Sequence, residues 1–313
     1  MTTRHFLSVL DLGADEARAV LQLAWHIKRD PAAYRDRLRD RTLAMIFEKR
    51  STRTRVSFEV GTFELGGHAL FLSSQDIQIG RGETIADTAK VLSRYCAGIM
   101  ARVYGHEVLE EMALHATIPV INGLSDRLHP CQTMADALTL IERFSPPDTF
   151  DPGVLIGRKL AYVGDAANNM ANSLLFTGAL LGMDVTVIGP QGYLPAADIV
   201  AKAREVATTS GATIDLTSDL SGVAGAHCVY TDVWTSMGQE AESKRRLADL
   251  GDYQVNDALM AAAASDAVFM HCLPAHRGEE VSASVCDGPQ SIIFDEAENR
   301  LHAQKALMVH LMS

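Results

Sequence analysis

The chain contains no C-x-x-C pair, no lysine-bearing glycine loop of the NTP-binding kind, no complete G-x-G-x-x-G and no uninterrupted apolar run of membrane-spanning length. Each absence removes a class. Five scattered cysteines (Cys96, Cys131, Cys228, Cys272, Cys286) argue against a disulfide framework or a zinc–cysteine site, and for reduced thiols in the cytosol. The opening residues Met1 to Phe6 lack the apolar core of a secretory signal. Basic residues are in deficit: 28 Lys and Arg against 39 Asp and Glu give a net charge of −11. Such a surface repels phosphate backbones and anionic lipids, so nucleic acid and membrane are not expected partners. Hydrophobic residues at 47% and charged residues at 21% fit a soluble globular protein, and 313 residues are enough for two cores.

Against that acidic background, residues 51 to 55 read Ser-Thr-Arg-Thr-Arg. They follow an apolar strand-like run, residues 42 to 47, and precede a helical pattern over 54 to 65. Helix N-termini carry unpaired N–H groups and a positive dipole end. Arginine forks match phosphate oxygens two at a time. The five residues alone fit a phosphate site or a solvated basic turn with a Ser/Thr cap.

Helices and strands alternate along the whole chain, which predicts an α/β fold of two doubly wound parallel-sheet domains with the active site in the cleft between them. Residues 15–29 read as a helix, 42–47 as the first strand and 69–72 as the second. The polar, glycine-rich segment 73–83 reads as a mobile loop. Helix 84–95, strand 97–102, helix 107–114, strand 118–121 and helix 132–144 follow. The Pro-, Gly- and Asp-rich stretch Ser145 to Gly157 is the expected boundary. Beyond it come strand 159–163, helix 168–181, strand 184–188, helix 196–209, strand 212–216, helix 219–224 and strand 227–231. A long irregular stretch precedes helix 256–263, strands 267–270 and 291–294, and a last helix over 296–312.

Most polar clusters fall directly after an expected strand. They are Ser51 to Arg55, Arg102, His129-Pro130-Cys131-Gln132, Gly164 to Asn169, Asp232 to Gly238 and His271-Cys272-Leu273-Pro274. In an open parallel sheet that rim is where ligands bind. Singly, each has a plainer explanation. Arg102 fits a surface ion pair, while His129, Asn168 and Asn169 fit helix caps. Cys272 fits an inert buried thiol and Asp232 a turn cap. Gly164-Asp165 hints at a dinucleotide turn that the rest of the fingerprint does not support.

Taken together, the motifs resemble those of the ornithine carbamoyltransferases. The resemblance is carried by Phe47 to Arg55, Gln78-x-Gly80-Arg81-Gly82-Glu83, His129-Pro130-Cys131-Gln132, Asp232-x-Trp234-x-Ser236-Met237-Gly238, His271-Cys272-Leu273-Pro274 and Asp295 to Arg300. These matches span nearly the whole chain in the family's order. The resemblance implies that residues 1–145 bind carbamoyl phosphate, with the helix over 296–313 packing back on them, and that 146–295 bind ornithine. Ser51, Thr52, Arg53 and Thr54 would hold the phosphate. Arg55 would be structural. Arg102, His129 and Gln132 would hold the carbamoyl group, and Arg300 would reach the same ligand. Gln78 would come from a neighbouring subunit of a homotrimer. Asn169 and Asp232 would meet the α-amino and α-carboxylate end of ornithine, Ser236 and Met237 would sit in a closing lid, and Cys272 and Leu273 would contact the side-chain amine. Catalysis would fall to Thr54, Arg102, His129 and Cys272, with no cofactor, metal or covalent intermediate implied. The product would be citrulline, in arginine metabolism and most simply its biosynthesis in the cytoplasm.

After Pro274 the chain reads Ala275-His276-Arg277-Gly278-Glu279-Glu280, where many relatives carry an aromatic residue at the second position. That is not read as a change of substrate. The alternatives are a sister enzyme acting on putrescine, acetylornithine or aspartate, a nucleotide-dependent oxidoreductase, and a non-catalytic binding paralogue. The motif at Asp232 favours a free α-amino acid with a cationic side chain. The cysteine at 272 disfavours the aspartate enzyme, and the complete phosphate motif disfavours a paralogue without activity.

Overall fold

A computed structural model describes residues 3–75, 77, 78, 82–235 and 240–313, the side chain of Glu240 excepted. The chain forms two compact units. Residues 1–142 and 298–313 make the first, and residues 143–297 the second.

In the first unit the elements run α1 (Gly13–Arg29), β1 (Thr42–Phe47), α2 (Thr52–Glu64), β2 (His68–Ser73), α3 (Ile85–Tyr95), β3 (Gly98–Arg102), α4 (His106–His115), β4 (Val120–Leu124) and α5 (Pro130–Phe144). Helix α1 shows the local logic. Ala17, Val20, Leu21, Ala24 and Ile27 recur at three- and four-residue spacing and are buried, Asp15 and Glu16 favour its N-terminal dipole, and Lys28 and Arg29 its C-terminal end. The sheet is parallel with order β2-β1-β3-β4. Inner strands of a parallel sheet are covered on both faces, and β1 and β3 are accordingly near-continuously apolar and buried. Edge strand β2 is half-exposed. The order reverses between β1 and β3, and Phe47 pairs in register with Arg102 there. Helix α5 is buried from Pro130 to Ile141.

The second unit runs β5 (Lys159–Val163), α6 (Asn169–Leu181), β6 (Asp184–Ile188), α7 (Ala197–Ser210), β7 (Ile214–Thr217), β8 (Cys228–Tyr230), α8 (Ser243–Leu250), α9 (Asp257–Ala262), β9 (Val268–Met270) and α10 (Ala283–Cys286). Its five parallel strands are ordered β7-β6-β5-β8-β9, with the reversal between β5 and β8. The final helix α11 (Ile293–Met312) begins in the second unit and ends in the first. In the first unit its buried Lys305 pairs with Glu64 at 2.7 Å, and Gln304 bonds Ser57 at 2.9 Å.

Three expectations change. No strand covers 291–294. Ser291 makes one bridge to Phe269, and the chain then turns into α11 at Ile293, leaving Phe294 exposed. Asp295 and Glu296 in the first turn favour the helix there. The stretch read as irregular holds α8, whose Ser-Lys-Arg-Arg start hides a short amphipathic turn burying Arg246 and Leu250. The helix expected over 219–224 is a single 3₁₀ turn, Leu220–Val223.

Candidate functional site

The phosphate-like motif sits where β1 hands over to α2. Ser51 is extended and caps the helix, its hydroxyl accepting from the Thr54 amide at 3.2 Å. Thr52 and Arg53 lie in the first turn, and Thr54 is buried. Two guanidinium groups converge on the Thr54 hydroxyl oxygen: Arg102 Nη1 at 3.4 Å, from the end of β3, and Arg300 Nη2 at 3.3 Å, from α11. Arg300 Nη1 also donates to Gln132 Oε1 at 2.6 Å, and Gln132 Nε2 donates to Asp136 Oδ1 at 2.8 Å. Arg102, His129, Gln132 and Arg300 are all buried.

Three arginines therefore act on one small volume at a helix N-terminus. His129 records their field. Burial and the charges of Arg300, Arg102 and Arg53 hold its pKa well below the ordinary histidine value. The ring is neutral at pH 7, and a neutral imidazole can still donate one hydrogen bond. Lys49, half-buried over the Tyr104 ring at 4.5 Å, is likewise held below its usual value by burial and by Arg102. The arrangement suits a dianion bearing a polarisable carbonyl: the helix end and arginines meet the charge, and Thr54, Arg102 and His129 are available to the carbonyl oxygen.

Sequence reading did not single out Asp136, which fixes the Gln132 amide from one turn along α5. Its signal was the four-residue spacing after His-Pro-Cys-Gln. Gln78 is exposed, outside any helix or strand. A concavity of about 970 Å³ lies beside the motif. Lys49 to Thr52 line it, with Arg55, Val56, Val60 and Phe63 of α2 and Phe71 of β2.

In the second unit, the β5, β8 and β9 ends carry the remaining candidates. Asn168 caps α6, accepting from Met170 and Ala171 amides at 2.9 and 3.0 Å. Its amide nitrogen donates to Tyr162 Oη and the Asp165 carbonyl. Capping therefore belongs to Asn168, and Asn169 stands in the first helical turn, half-buried. Gly164 at φ 112° passes so close to Trp234 that an added Cβ would lie 2.7 Å from its Nε1. Asp165 is paired at 2.5 Å with Arg246, which also donates to the Trp234 carbonyl. A glycine–aspartate turn so filled by Trp234 and Arg246 is a packing site, not a dinucleotide cradle.

Asp232 is buried, and its Oδ1 accepts from the Val233 amide at 2.8 Å and from Cys272 Sγ at 3.2 Å. Burial raises its pKa above the ordinary aspartate value, against a lowering by His271. An incoming ammonium would favour its charged form. Leu273 takes the left-handed backbone at φ 60°, a conformation that costs about 1–3 kcal/mol for such a residue. The local network holds it. The Leu273 amide donates to His271 Nδ1 at 2.8 Å, His271 Nε2 lies 3.3 Å from Glu280 Oε1, and the His271 amide donates to Glu296 Oε2 at 2.9 Å. The structure thus joins Asp232, Cys272 and Leu273 at one sheet rim. Ser236 and Met237, expected in a lid, lie outside the described residues.

Among the described residues two groups have metal-ligand composition: Asp232 with His271 and Cys272, and His276 with Glu279 and Glu280. In the first, both His271 nitrogens and Asp232 Oδ1 are already engaged, which disfavours an ion.

Two family models match most of the chain. Residues 4–142 match the model "Aspartate/ornithine carbamoyltransferase, carbamoyl-P binding domain", and residues 156–311 match its "Asp/Orn binding domain". An ornithine carbamoyltransferase from Symbiobacterium thermophilum is 54% identical, with 100% of each chain covered. The structure of an ornithine carbamoyltransferase from Pyrococcus furiosus superposes with a TM-score of 0.93 at 49% identity, covering 99% of this chain and 97% of that one. The anabolic ornithine carbamoyltransferase structure from Campylobacter jejuni gives 0.90 at 39% identity, covering 99% of both chains. The family model assigns α11 to the second domain, whereas packing groups residues 298–313 with the first unit.

Proposed function

We propose that this chain, which belongs to the aspartate/ornithine carbamoyltransferase family, transfers the carbamoyl group of carbamoyl phosphate to the δ-amine of L-ornithine, giving L-citrulline and phosphate. The observation that carries the reading is the meeting of Arg102 and Arg300 on Thr54 at the capped N-terminus of α2. Ser51, Thr52, Arg53 and Thr54 hold the phosphate. Arg102, His129, Gln132 and Arg300 hold the carbamoyl end. Asp232 pairs the α-ammonium, Asn169 meets the α-carboxylate, and Cys272 and Leu273 face the side-chain amine.

The neutral δ-amine attacks the carbamoyl carbon, forming the C–N bond. Negative charge grows on the carbamoyl oxygen, where Thr54, Arg102 and His129 donate. Donors aimed at such charge are worth about 2.7–4 kcal/mol each. The bond from carbon to the phosphate oxygen then breaks, and the departing phosphate accepts the proton from the attacking nitrogen. Holding both substrates in line supplies much of the rest. Cys272 shares its proton with Asp232 and tunes the polarity around the amine.

Residues 1–142 with 298–313 form the carbamoyl-phosphate domain, and 143–297 the ornithine domain. The chain works as a homotrimer in which Gln78 reaches a neighbour's ligand. The exposed apolar side chains Val56, Val60, Phe63, Leu70 and Phe71 along α2 and β2 support self-association. The direction is biosynthetic, in the cytoplasm. The decisive assay supplies carbamoyl phosphate with ornithine, putrescine, acetylornithine or aspartate. Ornithine should have the highest kcat/KM. A higher value for putrescine would overturn the substrate assignment, and sigmoidal carbamoyl-phosphate saturation would contradict the biosynthetic one.

A further inference from the structure

The turn after Pro274 carries three donor side chains that the transfer reaction leaves unused: His276, Glu279 and Glu280. One ligand atom from each lies within 4.8 Å of the others. His276 Nδ1 is 3.8 Å from Glu279 Oε2 and 3.8 Å from Glu280 Oε2. Those separations are too long for hydrogen bonds.

The two oxygens of Glu280 have different surroundings, and that difference is informative. The side chain is 0% exposed. Oε1 accepts from the His276 amide at 2.5 Å and faces His271 Nε2 at 3.3 Å. Oε2 is enclosed, has no hydrogen-bond partner and points at the His276 ring. This buried carboxyl group therefore keeps one unanswered oxygen, an arrangement that costs free energy until a partner meets it.

We propose that His276, Glu279 and Glu280 bind one divalent transition-metal ion of the zinc type. Imidazole and carboxylate donors bind zinc at about 2.0–2.2 Å, which sets neighbouring donors roughly 3–3.6 Å apart. The two 3.8 Å gaps close on such an ion by small rotations of His276 and Glu279, whose side chains are 47% and 40% exposed. Glu280 is the fixed anchor. The imidazole selects zinc, cobalt or nickel over magnesium and calcium, which take oxygen ligands. Arg277 does not compete for the carboxylates, because its guanidinium is turned onto Asp287 at 2.8 and 2.6 Å. Through Glu280 Oε1, His271 and the Leu273 amide, the ion braces the segment bearing Cys272 without entering the transfer chemistry.

The test is calorimetric titration of metal-free protein with Co²⁺ and Zn²⁺, with the cobalt absorption spectrum and the melting temperature followed in parallel. The proposal expects one equivalent bound, a rise in Tm, and no thiolate-to-cobalt charge-transfer band. His276→Ala, at an exposed position, and Glu279→Gln, at a half-buried one, should each weaken binding by about tenfold or more, at least what loss of a supporting outer partner costs. Cys272→Ser should bind as the parent protein does. The proposal is overturned if the parent binds no ion. It is equally overturned by a charge-transfer band that Cys272→Ser removes, or by unchanged affinity in either the His276 or the Glu279 variant.

Discussion

The first unit gathers Arg53, Arg102 and Arg300 around one helix N-terminus, while the second offers a single buried acid, a thiol and backbone at the ends of β8 and β9. The anion half is built from permanent charge. Arginine cannot lose its proton in this range, so its field persists whether or not ligand is bound, and the depressed His129 is its internal record. In the second unit Asp232 has its pKa raised by its own burial. A cation placed beside it would favour its charged form. One unit holds permanent positive charge, and the other an acid whose charged form burial disfavours.

Breaking the charged half should have the largest effect. Arg102→Ala removes a buried donor beside Thr54, and kcat/KM for carbamoyl phosphate should fall about 10²–10³-fold in steady-state assays. Next comes Asp232→Asn, which keeps shape but loses the charge proposed to face the α-ammonium. A hydrogen bond to a charged group is worth about 1.5–3 kcal/mol, so kcat/KM for ornithine should fall roughly 10- to 150-fold. Carbamoyl-phosphate binding, measured by calorimetry, should stay within about twofold because that ligand belongs to the other unit.

pH sharpens the same contrast. A δ-amine with a lysine-like pKa near 10.4 is mostly protonated at neutrality, so kcat/KM for ornithine should rise about tenfold per unit from pH 6 to 8. His129 is held neutral throughout that window and should add no inflection near 6.5. An inflection there, abolished by His129→Gln, would refute its assigned state. The smallest effect separates two adjacent asparagines. Asn168→Ala should cost about 1 kcal/mol of stability through the lost α6 cap, read as a lower denaturant midpoint. Asn169→Ala should leave that midpoint nearly unmoved and raise KM for ornithine.

The contrast also explains what was legible in the sequence. Ser51 to Arg55 stood out because a cap, a helix start and two arginines occupy five consecutive positions, although those five alone also fit a basic surface turn. Arg102 and Asp232 were visible as polar residues at the ends of apolar strands, and the parallel order of both sheets follows from the strand–helix alternation. Less local features were hidden. Glu280 and Glu296 brace His271 across 9 and 25 residues of chain, and nothing in the charge pattern marks either as buried. The apolar run Ile292-Ile293-Phe294 looked like a strand because composition does not reveal that only one bridge to Phe269 forms before Asp295 and Glu296 favour a helix. Helix α8 was missed because its buried face is made partly of Arg246, a charge satisfied by Asp165 from a distant segment.

The central claim is that a carbamoyl-bearing phosphate is held at the head of α2. The most direct test is citrulline synthesis by Arg53→Ala across a range of carbamoyl phosphate at saturating ornithine. The account predicts a loss of at least about a hundredfold in kcat/KM for carbamoyl phosphate, as befits loss of a charge-assisted fork. Full retention of the parent rate by a folded Arg53→Ala protein would contradict it.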